Sequence, residues 1–128
     1  MSKLNEIYEA IEQLNDEIPA QLSKKITLYS QALMLIGRYH AAAVNAHGIA
    51  YANRKKVWGQ AILDSKGTAK DKEAAAEVAS YDARVREARA EMEVWEWRRA
   101  FESTQEIIQA LKIEQRTLMV EYNGRDGQ

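Results

Sequence analysis

The sequence has no cysteine, which excludes disulfides, thiolate metal sites and a cysteine nucleophile. One proline, Pro19, and six glycines in 128 residues are too little punctuation for a many-stranded β fold. An excess of one charge is missing too. The 18 basic and 19 acidic residues give a formal net charge of −1, which speaks against an indiscriminate nucleic-acid binder and against a polyacidic tail protein. No long apolar run is present. The most apolar window, residues 26–46, carries Arg38 and His40 at its middle, and a central Arg costs about 3 kcal/mol on insertion scales. The first twelve residues hold Glu6, Glu9 and Glu12, where a signal peptide would be basic and then apolar. A cytoplasmic protein without a membrane partner is therefore expected.

What is present is a folded-protein balance, 46% hydrophobic and 29% charged, with apolar residues spaced by three and four almost throughout. Leu4, Ile7, Ile11, Leu14 and Ile18 form one helical stripe, which predicts a helix over about residues 3–17. Pro19 lacks an amide donor and disfavours helical dihedrals at Ile18, so a break or kink belongs there. A second stripe of Tyr29, Ala32, Ile36, Tyr39, Ala43, Ala46, Ala50, Asn53 and Val57 predicts a helix over about 20–63. A turn at 64–68 follows. Gly67 can take the left-handed position after a helix, and Thr68 with Asp71 suits the start of the next, although a full reciprocal cap would prefer Glu or Gln at that place.

The third segment reads Ala74, Val78, Tyr81, Val85, Ala88, Met92 and Trp95, alternating four and three without an error. A second stripe follows it: Val94, Trp97, Phe101, Thr104, Ile108, Leu111, Gln115, Leu118 and Tyr122. The one-residue offset predicts a buried face that rotates by about 100°. No Gly or Pro interrupts residues 68–123. One helix over 69–122 would be about 80 Å long, against a radius of gyration of about 14 Å for a compact chain of this size. Either the molecule is extended or the helix breaks near residue 103, where Ser103-Thr104-Gln105-Glu106 reads as a capping box. The expectation is a single all-α domain. It comprises a long antiparallel helical hairpin with a short N-terminal helix packed on it and a tail at 123–128.

Charge is segregated along the chain. Residues 20–63 contain six bases and no acid: Lys24, Lys25, Arg38, Arg54, Lys55 and Lys56. Such a face can serve phosphates or an acidic protein. It can equally be neutralised internally. Folding about residue 66 brings Arg54–Lys56 toward Glu73 and Glu77, Arg38 toward Glu91–Glu96, Tyr51 toward Tyr81, and Tyr39 toward Met92 and Trp95.

The second helix is apolar on more than one face, and a helix apolar on most sides must be surrounded. Self-association into a larger bundle would supply the cover. Gly37, Gly48 and Gly59 are spaced by eleven residues and fall on nearly one face. Each costs about 1 kcal/mol against Ala. They mark either a seam of close helix approach between copies or three unrelated local bends.

No constellation for catalysis stands out. His40 and His47 lie seven apart, whereas helical zinc ligands are usually three or four apart, and a structural role fits them better. There is no phosphate-binding Gly-rich loop, no supported Ser-His-acid set and no Glu-x-x-His pair for a di-iron bundle. The carboxylates of the third segment interleave with Arg84, Arg86, Arg89, Arg98 and Arg99, as on a solvated helix. The sequence thus points to a non-enzymatic protein without cofactor or metal. Its densest aromatic and basic stretch runs from Trp95 to Phe101, with Phe101 in the core. Trp and Arg dominate binding hot spots and also stack on unpaired bases; alternatively, both tryptophans fill the core. The candidate binding residues are Lys24, Lys25, Arg54, Lys55, Lys56, Trp97, Arg98 and Arg99.

The turn Gly67-Thr68-Ala69-Lys70-Asp71-Lys72-Glu73, the Ala74-Ala75-Ala76 run and Trp97-Arg98-Arg99-Ala100-Phe101-Glu102 carry a resemblance over roughly residues 45–122. They resemble small long-helix proteins of bacteriophage early and recombination gene cassettes, mostly of undefined function. The resemblance implies a setting in the host cytoplasm and one of two roles: accessory to DNA recombination or replication, or inhibitor of a host system. The expected function is macromolecular binding, through a host or phage protein and through further copies of the chain. Binding of nucleic acid and a purely structural bundle are the alternatives.

Overall fold

The computed structural model describes residues 2–126, with side chains through Gly124. Four α-helices make up the described residues, without strands: α1 (Lys3–Glu12), α2 (Pro19–Asp64), α3 (Ala69–Ala79) and α4 (Tyr81–Asp126). The fold is the expected all-α hairpin, in which α2 packs antiparallel against α4, with α1 as the short N-terminal helix. Among the described residues no helix is long and apolar enough to cross a membrane.

The ends of the elements follow from local chemistry. Ser2 caps α1 by accepting the Asn5 amide at 3.2 Å. The helix stops at Glu12, five residues before the expected end. The Asn15 side chain takes the Glu17 amide at 2.9 Å, and the Asn15 amide goes to Gln21 at 2.8 Å. These local bonds compete with the helical ladder. Of the predicted stripe only Leu4, Ile7 and Ile11 are buried. Pro19 opens α2, at the position where its missing donor costs nothing. At the α2–α3 turn Gly67 has φ 113°, and Thr68 and Asp71 complete a reciprocal capping box. Asp71 therefore does what was expected of Glu or Gln: its carboxylate accepts the Thr68 amide at 3.0 Å.

The third segment does break, but at Ser80 and not near residue 103. Ser80 is fully buried. The Glu77 carbonyl, the normal acceptor for the amide of Tyr81, takes the Ser80 hydroxyl at 3.5 Å and the Arg84 guanidinium at 2.9 Å. Side chains inserted into the ladder interrupt a helix in this way. At Ser103-Thr104 the helix is continuous, and the Thr104 hydroxyl donates back to the Ala100 carbonyl at 2.7 Å and caps no new helix. The tail expected from residue 123 is helical as far as Asp126; residues 127–128 of that tail lie outside the described residues.

The chain divides into two compact units. The first contains the residues up to Arg38 and those from Arg98 onward. Leu4, Ile7 and Ile11 of α1, Leu22, Ala32 and Ile36 of α2, and Thr104, Ile108 and Leu111 of α4 form its core. Phe101 lies against Gly37, and Gln115 donates to the Ser23 hydroxyl at 2.6 Å. The second unit is Tyr39–Trp97, two helical arms around the Gly67 turn. Its buried positions are mostly small, namely Ala43, Ala76, Ser80 and Ala83.

The inward face of the third segment is one stripe, and the predicted rotation does not occur. Residues 76, 80, 83, 87, 90, 94, 97, 101, 104, 108, 111, 115 and 118 are all buried or half-buried, at an unbroken four-three spacing. The stripe expected to be core in the first half faces solvent instead, except for half-buried Val85. Val78 is 80% exposed, Met92 62% and Tyr81 61%, and about half of Trp95 is exposed. On α2 the inward residues beyond Ala43 are His47, Ala50, Arg54 and Val57, whereas Ala46 and Asn53 are exposed. Both expectations followed the most apolar path. The helices instead keep the small-residue path that lets their backbones approach.

Candidate functional site

Only one acid, Glu87, lies on the inward stripe of the third segment, and His47 and Arg54 on the inward face of α2 turn to it. Arg54 donates from Nε to Oε2 of Glu87, and His47 Nε2 lies 3.9 Å from its Oε1. The three side chains are largely shielded from water. A guanidinium and a carboxylate shielded together interact more strongly than at the surface, and each would be costly to leave alone. The arrangement locks α2 against α4. It replaces the expected pairing of Arg54 with Glu73 and Glu77, because those acids do not lie on the buried stripe. Glu77 instead holds Arg84, Nη2 to Oε2 at 3.1 Å.

The remaining predicted residues distribute as follows. Lys24 is exposed, and Lys25 is half-buried with its ammonium 2.7 Å from Asp16 Oδ1. This hydrogen bond raises the Lys25 pKa, against an opposing effect of burial. Lys55 and Lys56 are exposed. The Lys55 ammonium stands 4.9 Å from the Tyr51 ring centre, and the Arg54 guanidinium 5.2 Å from the same ring. Trp97 packs inward on Tyr39, with ring centroids 4.8 Å apart and a 42° tilt. It is thus committed to the hairpin; the ring that stacks on Tyr39 is Trp97, while Met92 and Trp95 are exposed. Arg99 is exposed, and Arg98 reaches Glu102 at 3.5 Å, one turn on.

These residues fall in both units. Lys24, Lys25, Arg98 and Arg99 belong to the first unit; Arg54, Lys55, Lys56 and Trp97 belong to the second. The three glycines are not equivalent either. A Cβ on Gly37 would meet Phe101 of the same chain at 3.5 Å, while Gly48 and Gly59 have nothing within 4 Å.

The hollows of the surface are open. One of about 850 Å³ in the first unit is lined by Leu33 and Ile113 together with Glu102, Glu106 and Lys112. A shallower one of about 390 Å³ in the second unit is lined by Glu77, Val78, Tyr81 and Arg84. Among the described residues no three His, Asp or Glu side chains are grouped to hold a metal ion. The surface that sequence reasoning missed is the outward stripe of α3 and α4. Its signal was legible, as an error-free heptad spacing; only its direction was misjudged. No known protein family, curated protein or solved structure is significantly similar to this chain.

Proposed function

We propose that this protein is a non-enzymatic helical binder that works through protein–protein recognition. The observation that supports this is the exposure of large apolar side chains at heptad spacing, Val78, Tyr81, Met92 and Trp95, on one side of the second unit. Apolar side chains grouped on a surface mark interaction sites. The charge pattern supports the same reading. Of the basic run in α2, Lys25 and Arg54 are already neutralised by Asp16 and Glu87, which leaves less charge for phosphates than the sequence count suggests. Within the setting implied by the resemblance to phage proteins, such a binder fits an inhibitor of a host system.

Nucleic-acid binding is the second reading, favoured by exposed Lys55 and Lys56 beside the Tyr51 ring. One experiment separates the two. A photo-crosslinking residue replaces Met92, and labelled single- and double-stranded DNA is titrated in parallel at low and physiological salt. Protein adducts at position 92 with no DNA binding are expected. Tight DNA binding with a steep salt slope, lost on replacing Lys55 and Lys56 by Ala, would overturn the reading.

A further inference from the structure

The outward stripe of α4 carries more information than its apolarity. Exposed Tyr81, Ala88, Met92 and Trp95, with half-buried Val85 among them, occupy the a and d positions of a heptad repeat, on the side opposite buried Ala83 and half-buried Ala90 and Trp97. The flanking e positions are Asp82, Arg89 and Glu96, and the flanking g positions include Arg84 and Glu91. All five are exposed. Their signs alternate along the helix, which makes the two possible pairings of this stripe with itself unequal.

In a parallel pair each g residue faces the e residue of the following heptad. Arg84 would then face Arg89 of the partner subunit, and Glu91 would face Glu96 of the partner subunit. Both are like-charge contacts. In an antiparallel pair e faces e and g faces g. Stacking Tyr81 on Met92 of the partner subunit and Val85 on Ala88 of the partner subunit puts the two-fold axis level with Arg86 and Glu87. Asp82 then faces Arg89 of the partner subunit, and Arg84 faces Glu91 of the partner subunit. Symmetry doubles each attractive contact.

The same register brings Trp95 of the partner subunit opposite Val78. There the surface has its hollow of about 390 Å³ between Glu77, Val78, Tyr81 and Arg84. The hollow is shallow and open, so the indole would lie against Val78 and Tyr81 with Glu77 and Arg84 at its rim, the apolar-centre, polar-rim arrangement of interfaces. Because α4 is already helical and braced by α2, association does not have to order it first, which lowers the cost of binding through a short seam.

From this complementarity we infer that the chain forms an antiparallel two-fold dimer through the outward stripe of α4, the occupant of the stripe being a second copy. The inference rests on the protein-recognition reading above and names the partner at that surface. It moves the self-association seam away from Gly48 and Gly59 on α2, which face outward on the other arm of the hairpin.

Sedimentation equilibrium of the full chain over a hundredfold concentration range tests it, with circular dichroism as the check on folding. The wild type is expected to approach twice the 14.6 kDa of one chain. Met92→Glu abolishes the dimer, whereas Gly48→Leu leaves it. Glu91→Arg sets Arg against Arg84 of the partner subunit and weakens the dimer by roughly tenfold or more; Arg89→Glu, set against Asp82 of the partner subunit, weakens it likewise. In a parallel dimer Glu91→Arg would face Glu96 and tighten association, so tightening overturns the inference. A wild type that stays monomeric throughout also overturns it. Adducts of position 92 with a different protein would then leave the recognition reading standing, and the absence of any adduct would remove both.

Discussion

Removing the Glu87 carboxylate should destabilise the second unit more than any other single charge deletion there. Its side chain is only 17% exposed and that of its partner Arg54 28%, so Glu87→Ala strands a guanidinium that is largely withdrawn from water. Fully buried pairs lose about 3–5 kcal/mol when one partner is removed. Exposed pairs lose under ~1 kcal/mol. The partial burial here places the expected loss at roughly 1–3 kcal/mol, the range for leaving a buried hydrogen-bonding group unsatisfied. With a urea slope near ~1 kcal/mol/M for a small unit, the midpoint should fall by about 1–3 M. Trp58, Trp95 and Trp97, the three tryptophans of the chain, all lie in the second unit. Urea unfolding followed by tryptophan fluorescence therefore reads that unit directly. Glu77→Gln, at a carboxylate 56% exposed, should change the midpoint little. A double-mutant cycle with Arg54→Met isolates the pair, since Met keeps much of the stem packing and removes the charge. A coupling energy under ~0.3 kcal/mol, within the additivity error of such cycles, or a larger effect at Glu77 than at Glu87, would refute the argument that the inward stripe selects the partner of Arg54.

The turn and the first unit supply further tests. Thr68→Ala removes the hydroxyl that accepts the Asp71 amide at 3.2 Å and should cost about 1 kcal/mol by chemical denaturation. Gly67→Ala should cost a comparable or larger amount, because φ is 113° and a Cβ would sit 2.6 Å from an Asp71 carboxylate oxygen. Lys25 has its pKa raised above the ordinary 10.5, chiefly by its hydrogen bond to Asp16. A raised lysine pKa means stabilisation that is complete below the unfolded value and is lost as pH climbs through the folded one. Burial raises Tyr8 above 10.0, with Tyr29 adding to it against an opposing Thr104 hydrogen bond, and this acts in the same direction. Melting temperatures followed to about pH 11 should therefore fall more steeply in the wild type than in Asp16→Asn. Parallel curves would show that the Lys25–Asp16 bond does not contribute.

Much of the architecture was legible in residues taken one stretch at a time. Pro19 at the start of α2, the Gly67-Thr68 junction and the three-four spacing of apolar residues are local signals, and local chemistry decides them. The capping box at Thr68 formed with Asp71 because its carboxylate reaches the Thr68 amide within hydrogen-bond distance. The break at Ser80 was less legible, since it needs Arg84 to reach back to the Glu77 carbonyl. A single serine gives no such warning, whereas Ser103-Thr104 gave a false one.

The sequence by itself determined that the chain is helical, where its hairpin turns, and that the third segment carries two apolar stripes. Only the tertiary structure decided which of the two is core. Hydrophobicity favoured Val78, Tyr81, Met92 and Trp95, but α2 packs on the face of Ala76, Ser80, Ala83 and Ala90. In the first unit α4 likewise turns Thr104, Ile108 and Leu111 inward. Helical periodicity states which residues share a face; it does not state which face a neighbouring helix will meet. For the same reason Arg54 and Trp97 turned inward to Glu87 and Tyr39, and the apolar stripe they might have covered remains on the surface.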